Sequence, residues 1–347
     1  MYKRKLLVLI SLVGSAVGLY FVIQFYQLFF WSNTQFENEV SYVFIDQDDT
    51  IDSLAIQLTP FLKRIDYFLL AAEKKGYDLR IRPGKYTLKK GWGNNEMINS
   101  LRSQRMTVLV TFNNQERIED LAGRIAQQII QDSLTLLETF TDTEFLQKTG
   151  FTEENALSMY LPNSYEFYWD TSAENVRDKM LVAYRKFWNP DRMEKANSIQ
   201  LSPQEVYILA SIVEKESVQA EEQTRIDGVY LNRLRKKMKL QADPTVIYSM
   251  KKESGDFDQI FKRVLYKDLK LKSPYNTYQF SGLPPGPIWM PTVSAIDAVL
   301  NAENHSYLYF VVSPKKPGYH LFAKDMDQHN RNKKIYTRWL DQQRVYR

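Results

Sequence analysis

The pattern of apolar and polar positions begins with one long apolar run at the N-terminus. Residues 6–23 carry no charge, and the uncharged stretch continues through aromatic residues as far as Trp31. A helix needs about 20 apolar residues to cross a bilayer, and basic flanks stay on the cytoplasmic side. We therefore expect a cytoplasmic head at residues 1–5, a transmembrane helix over residues 6–31 and an extracytoplasmic body. A cleaved signal peptide is the alternative, and it leaves the body in the same compartment.

In residues 36–105, segments with the apolar spacing of strands alternate with segments that have the spacing of helices, as in a small α+β module. Alternation of apolar and polar residues indicates strands, whereas apolar residues three and four positions apart indicate helices. The pattern predicts a strand over 41–45, a helical region over 52–74 that is interrupted near Pro60, a strand over 86–88 and a helix over 94–103. No residue of this module carries evident catalytic chemistry.

Residues 106–347 form a larger mixed domain, so the predicted fold class is α+β. Strands are expected over 106–112 and in a hairpin over 307–313 and 320–323. Helices are expected over 118–128, within 133–149, over 202–217, over 221–239, from Pro244 with Asp243 as its cap, over 292–302 and at the C-terminus. Residues 161–169 are expected to form an aromatic loop. The basic end of the helix over 221–239 is either a solvated terminus or a patch that faces an anionic ligand.

The helix over residues 202–217 has the clearest start signal in the chain. Ser202 can cap its first turn, and Pro203 suits the first helical position. Glu205 completes an S-x-x-E capping box, in which two backbone N–H groups at the start of the helix find side-chain acceptors. Apolar residues then recur at helical spacing, so one face of this helix is expected to be buried.

Two glutamates near the end of this helix are expected to face opposite sides. At about 100° per residue, Glu216 falls on the apolar face, whereas Glu214 points outward. A carboxylate on an apolar face is costly to desolvate, so it is either paired or protonated. A protonated glutamic acid at neutral pH is what general-acid catalysis requires. The alternative is that Glu216 is an exposed or salt-bridged residue in the last turn of a core helix.

The amino-acid composition excludes several types of catalytic site. The chain has 347 residues, of which 25% are charged and 44% hydrophobic, with a net charge of +5 and no cysteine. Thiol nucleophiles and disulfides are therefore excluded, and the modest charge fits an anionic polymer without requiring nucleic acid. The three histidines lack metalloprotease spacing, so neither a metal nor another cofactor is expected. Acid–base catalysis by Glu216 remains, with Asp243 as a weaker candidate carboxylate.

A single candidate carboxylate has a consequence for the type of reaction. A conventional glycosidase uses two carboxylates, one as the acid and the other as base or nucleophile. One embedded glutamic acid can instead protonate a glycosidic oxygen and then, as a carboxylate, accept a proton from a hydroxyl of the same sugar. Such a lyase consumes no water. Residue spacing alone does not separate this reaction from hydrolysis.

Several motifs, in this order, resemble the MltG/YceG family of endolytic murein transglycosylases. They are Ala210-Ser211-Ile212-Val213-Glu214-Lys215-Glu216, Leu231-Asn232-Arg233-Leu234, Leu240-Gln241-Ala242-Asp243-Pro244-Thr245, Tyr275-Asn276-Thr277-Tyr278 and Gly282-Leu283-Pro284-Pro285-Gly286. Together they cover most of residues 106–347. Residues 36–105 are more weakly similar to the LysM-like module of the family.

The resemblance implies cleavage within nascent peptidoglycan strands between MurNAc and GlcNAc, which leaves 1,6-anhydro-MurNAc ends. It implies that Glu216 is the general acid and then the base. It also implies a single-pass protein of the inner membrane, whose catalytic body lies on the periplasmic side near peptidoglycan synthases.

Seven further residues are candidates for contacting the substrate or for supporting the site: Asn163, Tyr165, Gln241, Asp243, Asn276, Thr277 and Tyr278. At one of them the chain departs from the family, because the usual Pro-Asp-Thr-Tyr is Pro162-Asn163-Ser164-Tyr165 here. A neutral Asn163 favours a hydrogen-bonding role at this position. Two other functions stay open: a non-catalytic peptidoglycan-binding scaffold that recruits synthases, and a hydrolytic muramidase with a second carboxylate.

Overall fold

The computed structural model describes residues 2–217, 219–261 and 263–342. The chain divides into two units. The first contains the chain up to Val110 together with Gln128–Gln131 and Tyr165–Ser172, and the second contains Thr111–Gln127, Asp132–Ser164 and the chain from Ala173 onward. Met1 of the predicted basic head and residues 343–347 of the predicted catalytic domain lie outside the described residues.

The N-terminal apolar run folds as one helix, α1 (Tyr2–Phe29), which includes most of the predicted basic head. It is long and apolar enough to cross a membrane, by length and composition, and its apolar stretch is not buried by the rest of the protein. Its C-terminal part lies beside two of the later helices of the first unit. Phe29 joins the core there, and the carbonyl of Leu28 accepts a hydrogen bond from the Asn94 side chain at 2.7 Å.

The rest of the first unit has the strands and helices that the pattern predicted. They are β1 (Val40–Ile45), α2 (Ile51–Leu58), α3 (Ile65–Lys74), β2 (Gly84–Lys89) and α4 (Asn94–Ser103). A short 3-10 turn that contains Pro60 separates α2 from α3, as expected for a residue that cannot continue a helix. The strands β1 and β2 pair antiparallel, and their inward side chains join the helices in one hydrophobic core.

A second two-stranded sheet joins β3 (Thr107–Phe112) to β4 (Asn163–Tyr168). The prediction of an aromatic loop over residues 161–169 is therefore wrong for most of its length. Aromatic residues favour strands when a partner strand is present. That partner lies more than fifty residues earlier in the chain, and a local reading of the sequence does not supply it.

The second unit consists mainly of helices. They are α5 (Ile118–Ala126), α6 (Ser133–Phe140), α7 (Thr143–Thr149), α8 (Ala173–Phe187), α9 (Pro190–Ser198), α10 (Pro203–Glu216), α11 (Ala220–Arg235), α12 (Asp243–Ser254), α13 (Val293–Leu300) and α14 (Met326–Gln342). Helices α8 and α9 were not among the elements that the sequence pattern predicts. An antiparallel hairpin of β5 (Tyr309–Val312) and β6 (His320–Ala323) precedes α14, so the predicted hairpin and C-terminal helix are confirmed.

Helix α10 lies in the middle of the second unit, in contact with α11, α12 and α13. The predicted capping box is present. The Ser202 hydroxyl accepts the Glu205 N–H at 3.3 Å, and the Glu205 carboxylate accepts the Ser202 N–H at 2.7 Å. All eight residues from Val206 to Val213 are buried. The helix is thus buried on every side, more than the one-sided apolar pattern predicted.

This burial corrects the prediction that Glu214 faces outward. Glu214 is partly buried, and its carboxylate accepts the backbone N–H of Thr292 at 2.8 Å. Thr292 is the cap of α13, so Glu214 contacts the start of a neighbouring helix. Because other helices surround this part of α10, Glu214 meets protein where the same position on an amphipathic surface helix would meet water.

Candidate active site

Glu216 is the last residue of α10 and lines a cavity of about 440 Å³ in the second unit. The residue as a whole is partly buried. Burial, followed by the negative charge of Asp243, raises the pKa of Glu216 to about 7. The Tyr230 hydroxyl, 3.3 Å from Glu216 Oε1, opposes this shift because it donates a hydrogen bond to the carboxylate.

Asp243 lines the same cavity, at the start of α12. Its side chain does not cap that helix as predicted, because Ala242 occupies the cap position. The carboxylate instead accepts a hydrogen bond from the Tyr278 hydroxyl at 2.6 Å. The backbone N–H of Asp243 faces Glu216 and favours its charged form. This one residue therefore acts on Glu216 in two opposite ways, by its side-chain charge and by its main chain.

Buried polar side chains fix the turn that carries Asp243. Thr277 Oγ1 accepts the Ala242 N–H at 3.0 Å and lies 2.8 Å from Thr245 Oγ1. Gln241 has a left-handed backbone (φ 51°), and its N–H donates to the Thr277 carbonyl at 3.2 Å. A non-glycine residue in this conformation is held there by its surroundings. Gln241 thereby reaches the cavity lining.

Asn276 and Thr277 are both buried, at 0% and 2% exposure. The Asn276 amide donates to the carbonyls of Leu269 and Leu271, at 3.2 Å and 2.8 Å. Buried polar groups with complete hydrogen bonding stabilise one conformation of a loop. Of the two roles that the sequence left open for Asn276 and Thr277, support of the site fits this geometry better than contact with a substrate.

Arg233 is a cavity residue that the sequence did not single out. It belongs to the basic end of α11, which was predicted as a solvated terminus or as a patch facing an anionic ligand. Arg233 is only 7% exposed, and its guanidinium donates to the carbonyls of Leu308 and Leu240 at 2.7 Å and 2.6 Å. Burial lowers its pKa. For Arg233 the prediction of a solvated terminus is wrong, since its charge is held inside the protein beside Glu216.

The β5–β6 hairpin and α14 form another side of the cavity. They contribute Tyr309, Phe310, Val311, Val312, His320, Met326, His329, Asn330, Lys333 and Tyr336. His320 Nδ1 lies 2.9 Å from Glu222 Oε2, so the hairpin is tied to the start of α11. Sequence reasoning assigned these residues no role, because only the docking of the C-terminal helix brings them to Glu216. The one available signal was the helical spacing of the α14 residues among them, from Met326 to Tyr336.

Asn163 and Tyr165 lie on β4, where the chain passes from the second unit to the first. Asn163 is exposed, and its side-chain oxygen accepts the N–H of Ser164 at 2.8 Å. Burial raises the pKa of Tyr165 to about 12. Within the second unit the fold brings Gln241, Asp243 and Tyr278 to Glu216. Tyr165 belongs to the first unit.

The residues of this cavity suit acid–base catalysis better than metal-ion catalysis. Over the described parts of the chain, no group of three or more His, Asp or Glu side chains is arranged to hold a metal ion. Glu216 has a pKa of about 7 and is within reach of a bound molecule. A carboxyl group with this pKa can donate a proton and take one back near neutral pH.

Comparison with known proteins agrees with these observations. The sequence model of a protein family, described as the YceG-like family, matches residues 43–335, which is most of the chain. The chain belongs to the YceG-like family. A relative in Bacillus subtilis, named endolytic murein transglycosylase, is 30% identical over 291 residues, which cover 79% of this chain and 77% of the relative.

Two further similar proteins extend the comparison. An endolytic murein transglycosylase of Streptococcus pneumoniae strain D39 is 33% identical over 171 residues, which cover 49% of this chain and 30% of that protein. A crystal structure described as a yceG-like protein of Listeria monocytogenes has a TM-score of 0.56 and 25% identity, and covers 85% of this chain and 99% of the other. The resemblance drawn from the motifs is thus confirmed at the level of the family.

Proposed function

We propose that this YceG-like protein is a membrane-anchored endolytic murein transglycosylase, a lyase that cleaves the glycan strands of peptidoglycan. The relatives with this name support the reaction class. The observation that carries the proposal is Glu216, a carboxyl group with a pKa of about 7 at the wall of a polar cavity. Near neutral pH a large fraction of it is protonated, as a general acid requires.

The proposed mechanism uses Glu216 twice. The protonated carboxyl group donates its proton to the oxygen between MurNAc and GlcNAc, and the bond from that oxygen to the MurNAc anomeric carbon breaks. The resulting carboxylate takes the proton of the MurNAc C6 hydroxyl, whose oxygen bonds to the anomeric carbon. The product is a 1,6-anhydro-MurNAc end, and Glu216 is protonated again.

Neighbouring groups suit both states of Glu216 in this cycle. The Tyr230 hydroxyl and the backbone N–H of Asp243 favour the carboxylate that forms after the first proton transfer. The Asp243 carboxylate favours the protonated form, and its negative charge also suits the positive character that develops at the anomeric carbon. Gln241 and Tyr278 line the cavity as candidate contacts for the sugar.

One observation supports a second candidate reaction, the hydrolysis of the same bond. Asp243 places a second carboxylate in the cavity of Glu216, and a pair of carboxylates is what a muramidase uses. In that reaction Asp243 would accept a proton from an attacking water, and the product would be a reducing MurNAc end. The products of the two reactions differ in mass by one water.

We also infer the organisation of the chain from its elements. Residues 1–5 are the cytoplasmic head, residues 6–31 the inner-membrane anchor, residues 36–105 a LysM-like module and residues 106–347 the catalytic domain on the periplasmic side. The strand–helix–helix–strand order from β1 to β2 supports the LysM-like interpretation. The partnership with peptidoglycan synthases is a prediction from the family resemblance.

The experiment is mass spectrometry of uncrosslinked glycan strands after incubation with the full chain in detergent. We expect anhydro ends from the wild type and, from Glu216→Gln, a rate lower by a factor of about 100 or more. Reducing ends would show that the protein is a muramidase and not a lyase. Unchanged strands after incubation with a folded wild type would favour the non-catalytic scaffold.

Glu214→Gln is the matched control for this experiment. It changes a carboxylate two residues away that binds the Thr292 N–H and is absent from the cavity lining. We expect it to keep most of the activity, because a carboxamide oxygen can still accept that hydrogen bond. A loss as large as that of Glu216→Gln would contradict the assignment of Glu216 as the only proton donor.

A further inference from the structure

Helix α14 presents one polar stripe to the Glu216 cavity. Its cavity-lining residues are Met326, His329, Asn330, Lys333 and Tyr336. Apart from the adjacent pair His329 and Asn330, they follow one another at three or four positions and therefore lie on one side of the helix. His329 stacks on Tyr309 of β5, with ring centres 5.2 Å apart and planes 28° apart. The stripe is thus fixed against the hairpin, and its side chains have a defined place at the cavity.

Two positive charges lie on this side of the cavity. The Arg233 guanidinium lies 5.3 Å from the centre of the Tyr309 ring, and its hydrogen bonds go to main-chain carbonyls. The Lys333 ammonium forms no ion pair with any carboxylate in the described ranges 2–217, 219–261 and 263–342. Burial, followed by the charges of Lys333 and Arg233, lowers the pKa of His329, so this imidazole is neutral at physiological pH.

The other charges of the cavity do not neutralise this side. Glu216 is uncharged while it acts as the proton donor, and the Asp243 carboxylate is already hydrogen-bonded by Tyr278. With Arg233 and Lys333 charged, the cavity has a net positive charge when it is ready to cleave. A neutral sugar would not pair with the Lys333 ammonium at the cavity wall. A ligand with a carboxylate would form a charge-assisted hydrogen bond to it.

We propose that Lys333 and the neighbouring His329 bind a carboxylate of the peptide stem that a muramyl residue carries. The inference rests on the proposed function, since it assumes that murein enters this cavity. In murein only the muramyl residues carry peptides, while the sugar backbone itself has no charge. An ammonium at one side of the cavity therefore distinguishes MurNAc from GlcNAc and sets which bond faces Glu216. Lys333 is a specificity residue in this arrangement and takes no part in proton transfer.

The test compares two substrates that differ in the charge of the peptide stem. One is uncrosslinked strands with free stem carboxylates, and the other is the same strands after conversion of those carboxylates to amides. For the full chain in detergent, we expect kcat/KM to be higher on the free-carboxylate strands by about tenfold, the scale of one charge-assisted hydrogen bond. Added salt should reduce this preference, because Lys333 is exposed and its charge is screened.

Substitutions of Lys333 test whether this side chain causes the preference for strands with free carboxylates. Lys333→Ala should bring the ratio of the two kcat/KM values close to one, and Lys333→Arg should keep most of it. Lys334→Ala is the matched control, because Lys334 is exposed and is absent from the cavity lining. It should leave the ratio as in the wild type. A ratio that is the same in the wild type and in Lys333→Ala would overturn the inference.

A binding measurement separates this inference from the proposed reaction. Calorimetry with Glu216→Gln, alone and combined with Lys333→Ala, reports the preference for free carboxylates without any cleavage. A preference that disappears with Lys333→Ala supports the inference even if the wild type cleaves neither substrate, in which case only the proposed reaction fails. Equal affinity of both proteins for both substrates overturns the inference whatever the reaction is.

Discussion

At the scale of single residues, Glu216 depends on its neighbours for its proton affinity. Burial contributes most to the raised pKa, the charge of Asp243 contributes next, and the Tyr230 hydroxyl opposes both. A general acid works only while it is protonated. We therefore expect kcat/KM of the wild type to fall as the pH rises through about 7, by about tenfold per pH unit above it.

Asp243→Asn should move this pH dependence in a known direction. The negative charge of Asp243 favours protonated Glu216, so its removal lowers the pKa of Glu216 and the decline in kcat/KM begins at a lower pH. The pKa should stay above 4.5, the ordinary value, because burial is unchanged. Asparagine still accepts the Tyr278 hydrogen bond. Measuring kcat/KM from pH 5 to pH 9 checks this shift.

The control for Asp243→Asn is Asp256→Asn, which neutralises an exposed carboxylate outside the cavity lining. Its profile should coincide with that of the wild type. An unshifted profile of Asp243→Asn would mean that the charge of Asp243 does not reach Glu216. A variant without activity at any pH would instead identify Asp243 as a reacting group, as in the muramidase reaction.

At the scale of elements, close contact between α11 and the segment after α13 positions the site. Gly228 on α11 lies so near this segment that an added Cβ would overlap the Glu303 carbonyl oxygen and lie 2.6 Å from His305 Nε2. Gly228→Ala should therefore lower the free energy of unfolding by about 1–3 kcal/mol, since a rigid main chain cannot yield. Activity should fall as well, because Tyr230 and Arg233 follow on the same helix.

Denaturant unfolding of Gly228→Ala checks this prediction, with Gly123→Ala as the control. Gly123 is a helical glycine of α5 with no atom within 4 Å of its added Cβ. Alanine there should raise stability by up to about 1 kcal/mol, the ordinary gain in helix propensity. Similar effects of the two substitutions would show that the contact at Gly228 is not tight.

The elements also show what the sequence can and cannot predict. Signals confined to one segment were reliable, such as the capping box at Ser202, the break at Pro60 and the apolar run of α1. Burial from all sides was not predictable, so Glu214 was wrongly placed in solvent. The position of Lys333 at the cavity depends on how α14 and the hairpin just before it lie relative to Glu216, which is far earlier in the chain, and no local pattern contains that information.

At the scale of the whole molecule, the end of α1, the proposed anchor, contributes residues to the core of the first unit. The last turn of α1 does not merely lead into the first unit: Phe29 is 9% exposed in its core, and Leu28 packs beside it. Main-chain atoms of Phe29 and Phe30 also lie against Gly93, where an added Cβ would be 2.8 Å from the Phe29 carbonyl oxygen. The sequence boundary at residue 31 therefore falls after residues that the folded unit needs.

A soluble fragment that begins at residue 32 should accordingly be less stable than one that begins at residue 24. Removing a buried phenylalanine costs about 3–5 kcal/mol in protein cores. We expect the first unit to unfold at a lower temperature in fragment 32–347 than in fragment 24–347, while the second unit, with Glu216, unfolds alike in both. Differential scanning calorimetry measures both transitions. Phe29→Ala in the longer fragment should reproduce most of the difference, and equal first transitions in both fragments would mean that α1 is only an anchor.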